Sequence, residues 1–527
     1  MPSNSPADSS HLEPAVQALF VQYGAIYKWL VTGTVMIGTL STVLSITMIS
    51  VAFPDIMGQF GIGQDHAQWL VTGFLAAMTA TMLLTAWLEQ TLGVRKAFIF
   101  SLLLFAGASV ISGLSPSEDV LILGRILQGA AAGTVQPLTM LTMFKIFPPN
   151  ERGRAMGFFG MGVVLAPALG PTVGGLLIDA FSWRAVFYVV LPFCSLSIML
   201  ASIFLPPQDK TTRKVNFDWT GFTLLCLFLG CILTALSNGQ SKGWTSNWIL
   251  FFFVVSAITS IAFLRWQLIT PSPLLNLRLF LNKHFAAASA LGFVFGMGIF
   301  GSTYLIPLFV QTIQGYTPTK AGLLLMPAGF IMGIMFPLAG HLTDRYPGHW
   351  LTLSGLTLFG YSCLLLGVAD FYTSFWLVAW WVVMGRIGLS LVMPPLTAGA
   401  MRTLPPELLS QGAGAINFVR QLGGAFGVNL LSVFLAYRTQ YHSDHFTTLL
   451  VENNATTEAF LTPIQDLLAQ GGVESSLQTP AAMHYLGSTL LQQAATVGFQ
   501  DGFIVSAIAF FLALIPAWIM RQKKTVH

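Results

Sequence analysis

The sequence predicts an all-α polytopic membrane protein of fourteen transmembrane helices, two six-helix halves around two central helices, with both termini cytoplasmic. Composition, the spacing of apolar runs and the placement of positive charge each lead there. Of 527 residues, 54% are hydrophobic and only 8% charged, with a mean hydropathy of +0.72. Soluble domains carry about 25% charged residues, so a water-soluble fold is excluded. At ~20 residues per span, the chain suffices for a dozen or more crossings.

Residues 1–28 are polar or weakly amphipathic and lack the basic start, short apolar core and cleavage site of a signal peptide, so they read as a disordered cytoplasmic tail. Apolar runs bounded by charged or Pro/Gly-rich breaks then give six spans at about 29–54, 67–88, 97–114, 119–147, 154–179 and 184–206. The polar break "PPQDKTTRKVNFD" opens a linker, 207–270, that carries two central spans at about 219–237 and 247–270. The second half, 271–520, holds spans at about 285–311, 319–343, 350–369, 374–403, 408–436 and 501–520, and 521–527 form a second cytoplasmic tail. Its one sizeable polar insertion, 437–499, includes amphipathic stretches expected to form two helices lying on the outer face.

This threading places 17 of the 24 Lys and Arg residues inside and four outside (Arg184, Lys242, Lys320, Arg438), with Arg125, Arg386 and Arg420 within spans. The asymmetry follows the positive-inside rule and supports an even number of crossings. An internal echo points the same way: "GRILQGAAAGTVQPLTMLTMFKIFPPNE" (124–151) and "GRIGLSLVMPPLTAGAMRTLPPE" (385–407) share Gly-Arg-Ile, Pro-Leu-Thr and a closing Pro-Pro turn. Duplicated halves of this sort belong to secondary transporters.

Several chemistries lack their residues. No phosphate-binding Gly-x4-Gly-Lys-Ser/Thr loop is present, nor a His-Glu-x-x-His helix, nor paired carboxylates or a Ser/His arrangement at matched depth, so neither an ATP-driven pump nor an intramembrane enzyme is expected. Cys194, Cys226, Cys231 and Cys363 lie in apolar stretches at unrelated spacings and read as packing residues. His442 and His445 have no further ligands beside them, and no metal or other cofactor is expected.

Span 5 contains "MGVVLAPALGPTVGGLLID" (161–179), in which Gly162, Pro167, Gly170, Pro171, Gly174 and Gly175 make a Gly-x4-Pro-x2-Gly-Pro-x2-Gly-Gly pattern. It resembles motif C, the antiporter motif of exporters in the major facilitator superfamily. "WLVTGF" (69–74), "RILQG" (125–129), "FPPNERGRAMG" (147–157), "SWRAVFYVVLP" (182–192), "PLLNLRLF" (273–280), "LPPELLSQGAGAINFVRQLGGAFG" (404–427) and "GFQDGFIVSA" (498–507) extend the resemblance along nearly the whole chain, to the fourteen-helix EmrB/QacA-type drug:proton antiporters. It implies the major facilitator fold, a bacterial inner-membrane location, proton-coupled efflux by alternating access and multidrug resistance as the setting. In EmrB-like systems the outer face meets a periplasmic adaptor protein leading to an outer-membrane channel. The expected partners are therefore a small amphipathic substrate, protons, the lipid bilayer and such an adaptor, with no nucleic acid.

The resemblance also marks departures. The loop between spans 2 and 3, "AWLEQTLGVRK", keeps Gly93, Arg95 and Lys96 of the gating motif A but has Gln90 in place of its Asp. The second-half copy, "GHLTDRYPG" (340–348), keeps Gly340, Asp344 and Arg345. A carboxylate there can meet a helix N-terminus and a neighbouring cation and latch the cytoplasmic face. In the first span the family pattern Leu-Asp-x-Thr-x-x-Asn-Val-Ala-x-Pro is replaced by "LSITMISVAFP", with Ser45 at the Asp position. The surrounding hydroxyls, Ser41, Thr42, Thr47 and Ser50, can bond carbonyls one turn back.

No acidic residue falls at the middle of an expected span, whereas Arg125, Arg386 and Arg420 do lie within spans. Intramembrane charge costs several kcal/mol unless paired and so marks function. Arg125 and Gln128 share a helix face at i, i+3, and with Ser45, Trp69, Thr72, Asn417, Arg420 and Gln421 they are the expected translocation pathway. A buried carboxylate would suit cationic drugs. Its absence favours a neutral or anionic amphiphile, the alternative being a broad lipophilic-cation antiporter that uses a peripheral acid such as Asp55, Glu89 or Asp344.

Overall fold

The computed structural model describes residues 14–67, 69–207, 216–448 and 455–521, and among these every regular element is a helix. The N-terminal half comprises α1 (Tyr27–Phe60), α2 (Trp69–Thr81), α3 (Thr85–Gly113), α4 (Glu118–Ile146), α5 (Arg152–Ala180) and α6 (Val190–Phe204). The central pair is α7 (Trp219–Lys242) and α8 (Asn247–Ile269). There follow α9 (Lys283–Thr312), α10 (Pro318–Arg345), α11 (Gly348–Leu366), α12 (Phe375–Arg402), α13 (Leu409–Thr448), α14 (Ala455–Gln470) and α15 (Ser475–Leu512).

Among the described residues, eleven helical runs are long and apolar enough to cross a membrane. One of them, Trp69–Gly113, spans 45 residues and breaks at Gly93, whose φ of 73° and ψ of 162° are open only to glycine. This is where the loop between spans 2 and 3 was expected. Helices α4 and α5 add 29 residues each. Large apolar side chains face outward along the helices; on α8 alone Leu250, Phe251, Val254, Ile258, Ile261 and Leu264 are exposed. An apolar surface of that extent is stable against lipid and not against water.

The two halves repeat one packing plan. In the first, α1 packs on α5, α2 and α3 on α4, and α3 on α6; in the second, α9 packs on α13, α10 and α11 on α12, and α11 on α15. The halves meet where α5 packs along α10 and α12 and where α13 crosses α4. Helices α7 and α8 pack on each other, and α7 rests against α2 and α13 at the side of the bundle. Asp218 organises that attachment: its carboxylate accepts from Gly221 N at the start of α7 (2.8 Å), Trp266 Nε1 (2.7 Å) and Gln267 Nε2 (2.9 Å) on α8.

Two expectations need correction. The tail expected to be disordered is helical over Pro14–Tyr23 and enters α1 at Tyr27, because Val16, Leu19, Phe20 and Tyr23 pack on the core and Tyr27 Oη donates to Phe204 O at 2.9 Å; residues 1–13 lie outside the described residues. The described part of the insertion 437–499 forms one separate helix rather than two, the rest extending the neighbouring spans. Helix α13 continues without a break from 409 to 448, and α15 runs from 475 into the last span, leaving α14 as the independent piece. No glycine or proline interrupts α13 near 436, so the helix propagates past its apolar stretch.

Candidate translocation site

The buried polar centre of the N-terminal half is built around one guanidinium. Arg125 lies in the second turn of α4, with none of its surface exposed. Its Nε donates to the Leu70 carbonyl on α2 (3.1 Å), and one terminal nitrogen donates to Ser45 Oγ (3.0 Å), to the Ser45 carbonyl (3.3 Å) and to Gln128 Oε1 (3.1 Å). The other terminal nitrogen, Nη2, is buried and makes no hydrogen bond among the described residues. The Phe74 ring covers the guanidinium at 4.2 Å, and Gln128 Nε2 is held in turn by Ser109 Oγ of α3 at 2.7 Å. Every acceptor around Arg125 is neutral. A buried cation without a counter-charge is costly in a low-dielectric interior, so this group is poised to meet an anion.

Ser45 is thus the direct neighbour of Arg125, at the position where the resembled pattern carries Asp. Ser41, Thr42 and Thr47 on the same helix return their hydroxyls to Ile37, Thr39 and Leu44 carbonyls; the Ser50 side chain lies outside the described residues. Ser109 joined the site without a sequence signal, since a serine in an apolar span has no distinguishing spacing.

A second polar group spans the two halves. Arg420 of α13, 5% exposed, donates to Gln136 Oε1 of α4 at 3.1 Å and lies over the Phe159 ring. Asn417, one turn earlier, donates to the Ala413 carbonyl and to Met140 Sδ, while its Oδ1 is buried without a partner among the described residues. Gln421 is buried beside them, Thr72 is half-buried, and Trp69 is 39% exposed at the start of α2. The structure therefore joins Ser45, Arg125 and Gln128 in one network, and Arg420 to α4 in another; Trp69 and Thr72 are in neither.

The small residues of 161–179 allow α5 to lie against α1. A Cβ at Gly170 would collide with Thr47 Oγ1, one at Gly162 with the Met36 methyl, and one at Gly174 would sit 3.3 Å from Met48. Gly175 faces Val51 more loosely. Helix α5 runs through 167 and 171, and the side chains of Pro167 and Pro171 lie outside the described residues.

At the α5 N-terminus, Asp344 accepts from Gly153 N and Arg154 N, both at 2.8 Å, and from Arg402 at 3.0 Å. This is the expected meeting of a carboxylate with a helix N-terminus, but the cation is Arg402 of α12; Arg345 is exposed. Gly340 makes the approach possible, since a Cβ there would sit 2.6 Å from Gly153 O. In the first-half copy Gly93 forms the turn, Arg95 is half-buried and Lys96 exposed. The nearby Glu89 pairs with Lys145 at 3.0 Å. Asp344 thus ties the second half to the first at this end of the bundle.

A sequence model described as the major facilitator superfamily matches residues 35–428. The chain belongs to the major facilitator superfamily. Similar relatives include the uncharacterized MFS-type transporter YhcA of Bacillus subtilis (29% identical, covering 93% of this chain and 92% of the relative). The multidrug export protein EmrB of Haemophilus influenzae is 28% identical over 95% of this chain and 97% of its own. The fatty acid resistance protein FarB of Neisseria gonorrhoeae is 27% identical over 94% and 97%. Among solved structures, the human organic anion transporter MFSD10 superposes with a TM-score of 0.60 at 14% identity, covering 94% of this chain and 99% of its own, which shows the shared fold. The protein is thus a multi-pass membrane transporter of this superfamily, with export proteins among its relatives.

Proposed function

We propose that the protein is a secondary active exporter of neutral or anionic amphipathic compounds, working by alternating access in a bacterial inner membrane with proton coupling. The observation that carries the substrate class is Arg125: fully buried, hydrogen-bonded only to neutral acceptors, and left with one unpartnered terminal nitrogen. A lipophilic carboxylate supplies the missing charge and acceptor, and a lipophilic cation is repelled. The similarity to FarB, whose name specifies fatty acid resistance, supports an amphiphile of this kind. Proton coupling is supported by the EmrB resemblance. The competing reading, cation export through a peripheral acid, rests on Asp55, which is exposed on α1, since Glu89 is paired with Lys145 and Asp344 with Arg402.

The fourteen-span topology with both ends cytoplasmic is part of the same reading. It is supported by the eleven membrane-competent runs, one of them divided at Gly93, if the 29-residue helices α4 and α5, which are not among the eleven, are counted with them. Helices of 40 and 38 residues, α13 and α15, extend about 60 Å at 1.5 Å per residue, well beyond a ~30 Å hydrocarbon core. On the outer side their projecting ends and α14 offer a rigid seat for a periplasmic adaptor that leads to an outer-membrane channel.

Equilibrium binding to the purified protein tests the substrate class. A fluorescent long-chain carboxylate is expected to bind and ethidium to bind at least tenfold more weakly, with carboxylate binding lost in Arg125→Gln. Tight ethidium binding with no response to the carboxylate overturns the proposal.

A further inference from the structure

The second half contains a guanidinium that the export reading does not use. Arg386 occupies the position on α12 that Arg125 occupies on α4, each following glycine in a Gly-Arg-Ile run. The correspondence extends to the partner. Arg125 meets the hydroxyl of Ser45 on the first helix of its half; Arg386 donates to the Thr303 hydroxyl (3.1 Å) on α9, the first helix of its own half. The repeat seen in sequence is thus a repeated interaction, an arginine on the fourth helix clasping a hydroxyl on the first.

The two sites then diverge. Arg125 is wrapped by acceptors from α1, α2 and its own helix and capped by Phe74. Arg386 is 6% exposed and lines a small cavity of about 20 Å³ between α9, α11, α12 and α15. Ser302, Ser362, Cys363 and Ser506 also line it, and among the described residues Arg386 is the only charged group in its wall. The serines give their hydrogens to the carbonyls of Gly298, Trp381 and Gly502, and Thr303 gives its own to Ile299, so their oxygens cannot neutralise the cation. The acids at the outer ends of these helices, Asp370 and Asp501, do not line the cavity. Asp501 is held by Arg438 (2.6 Å) and His442 (2.8 Å), and Asp370 accepts from Thr373 (2.6 Å).

A guanidinium carries five N–H donors and a full charge. A water molecule in the cavity would accept a hydrogen bond but leave the charge uncompensated in a low-dielectric interior. Size selects the occupant further. About 10–15 Å³ of such space holds one water, so the cavity takes a monatomic ion and excludes an organic amphiphile. We infer that the Arg386 cavity is a binding site for a small inorganic anion, with chloride the fitting ion, separate from the substrate site at Arg125. The bound anion neutralises the core of the second half and ties α12 to α9, α11 and α15.

The test uses the purified full-length protein in detergent, with chloride titrated in place of gluconate at constant ionic strength and thermal unfolding followed. Saturable stabilisation by chloride is expected in the wild type and in Arg125→Gln, and is expected to vanish in Arg386→Gln. Ser506→Val keeps the arginine and fills part of the cavity, and is expected to raise the half-saturating chloride concentration at least tenfold; this variant decides the matter if Arg386→Gln does not fold. The inference is overturned if the wild type shows no saturable chloride effect, if folded Arg386→Gln responds as the wild type does, or if Ser506→Val leaves the half-saturation unchanged. Export of amphipathic anions through the Arg125 site stands or falls independently of each of these results.

Discussion

At the scale of single residues, the decisive contact joins positions 45 and 125. Ser45 accepts a hydrogen bond from Arg125 but brings no charge, so the guanidinium is left without a counter-anion there. Replacing Ser45 by Asp puts a carboxylate within reach and closes an ion pair in the core. Ser45→Asp is therefore expected to lower affinity for an amphipathic carboxylate at least tenfold, a difference of about 1.4 kcal/mol, measured by fluorescence titration of the purified variant. Unchanged affinity would show that Arg125 does not face the substrate. Ser45 and Arg125 each stood out in sequence, one as a departure from a pattern and the other as a charge inside a span. Their contact was not, because it joins two helices 80 residues apart and no periodicity encodes which faces meet. The same limit hid Ser109 behind Gln128 and Gln136 behind Arg420. It also hid Arg402, which pairs with Asp344 where the adjacent Arg345 was expected from the motif.

At the scale of elements, small residues set how closely helices pack. The Gly-rich face of α5 lies against Met36, Thr47, Met48 and Val51 of α1, and Gly170 has no room for a Cβ beside Thr47. Gly170→Val is expected to destabilise the protein by roughly 1–3 kcal/mol through overpacking, seen as a lower unfolding midpoint in detergent; Gly175→Ala, where the nearest atom is 4.0 Å from a new Cβ, is expected to change it little. If the two variants behave alike, that interface is looser than described. At the far end of the second half, Asp501 bridges Arg438 and His442, tying α15 to α13. Asp501→Asn is expected to cost about 1 kcal/mol, since the group is partly exposed and screened, measured in the same assay. Helix existence was readable from hydropathy for nearly every span. Helix length was not, because α13 and α15 continue as polar helices beyond their apolar segments, where a hydropathy pattern has nothing to mark.

For the molecule as a whole, Asp344 links the two halves at one end, engaging the α5 N-terminus and Arg402 together. Asp344→Asn keeps the shape and removes the charge, weakening charge-assisted bonds worth about 2 kcal/mol in sum. That end is then expected to open, and a cysteine placed at Ala339, buried in this structure, is expected to react with a maleimide roughly thirtyfold faster. An unchanged rate would remove Asp344 from the gate. Opening and closing around a central site is useful only if the site chooses its cargo, and the central claim is that a buried, carboxylate-free arginine chooses anions. Transport into proteoliposomes under an imposed pH gradient, run in parallel with a fluorescent long-chain carboxylate and with ethidium, tests this most directly. The wild type is expected to accumulate the carboxylate and not ethidium, and Arg125→Gln to accumulate neither; gradient-driven ethidium transport by the wild type, with the carboxylate left behind, would contradict the account.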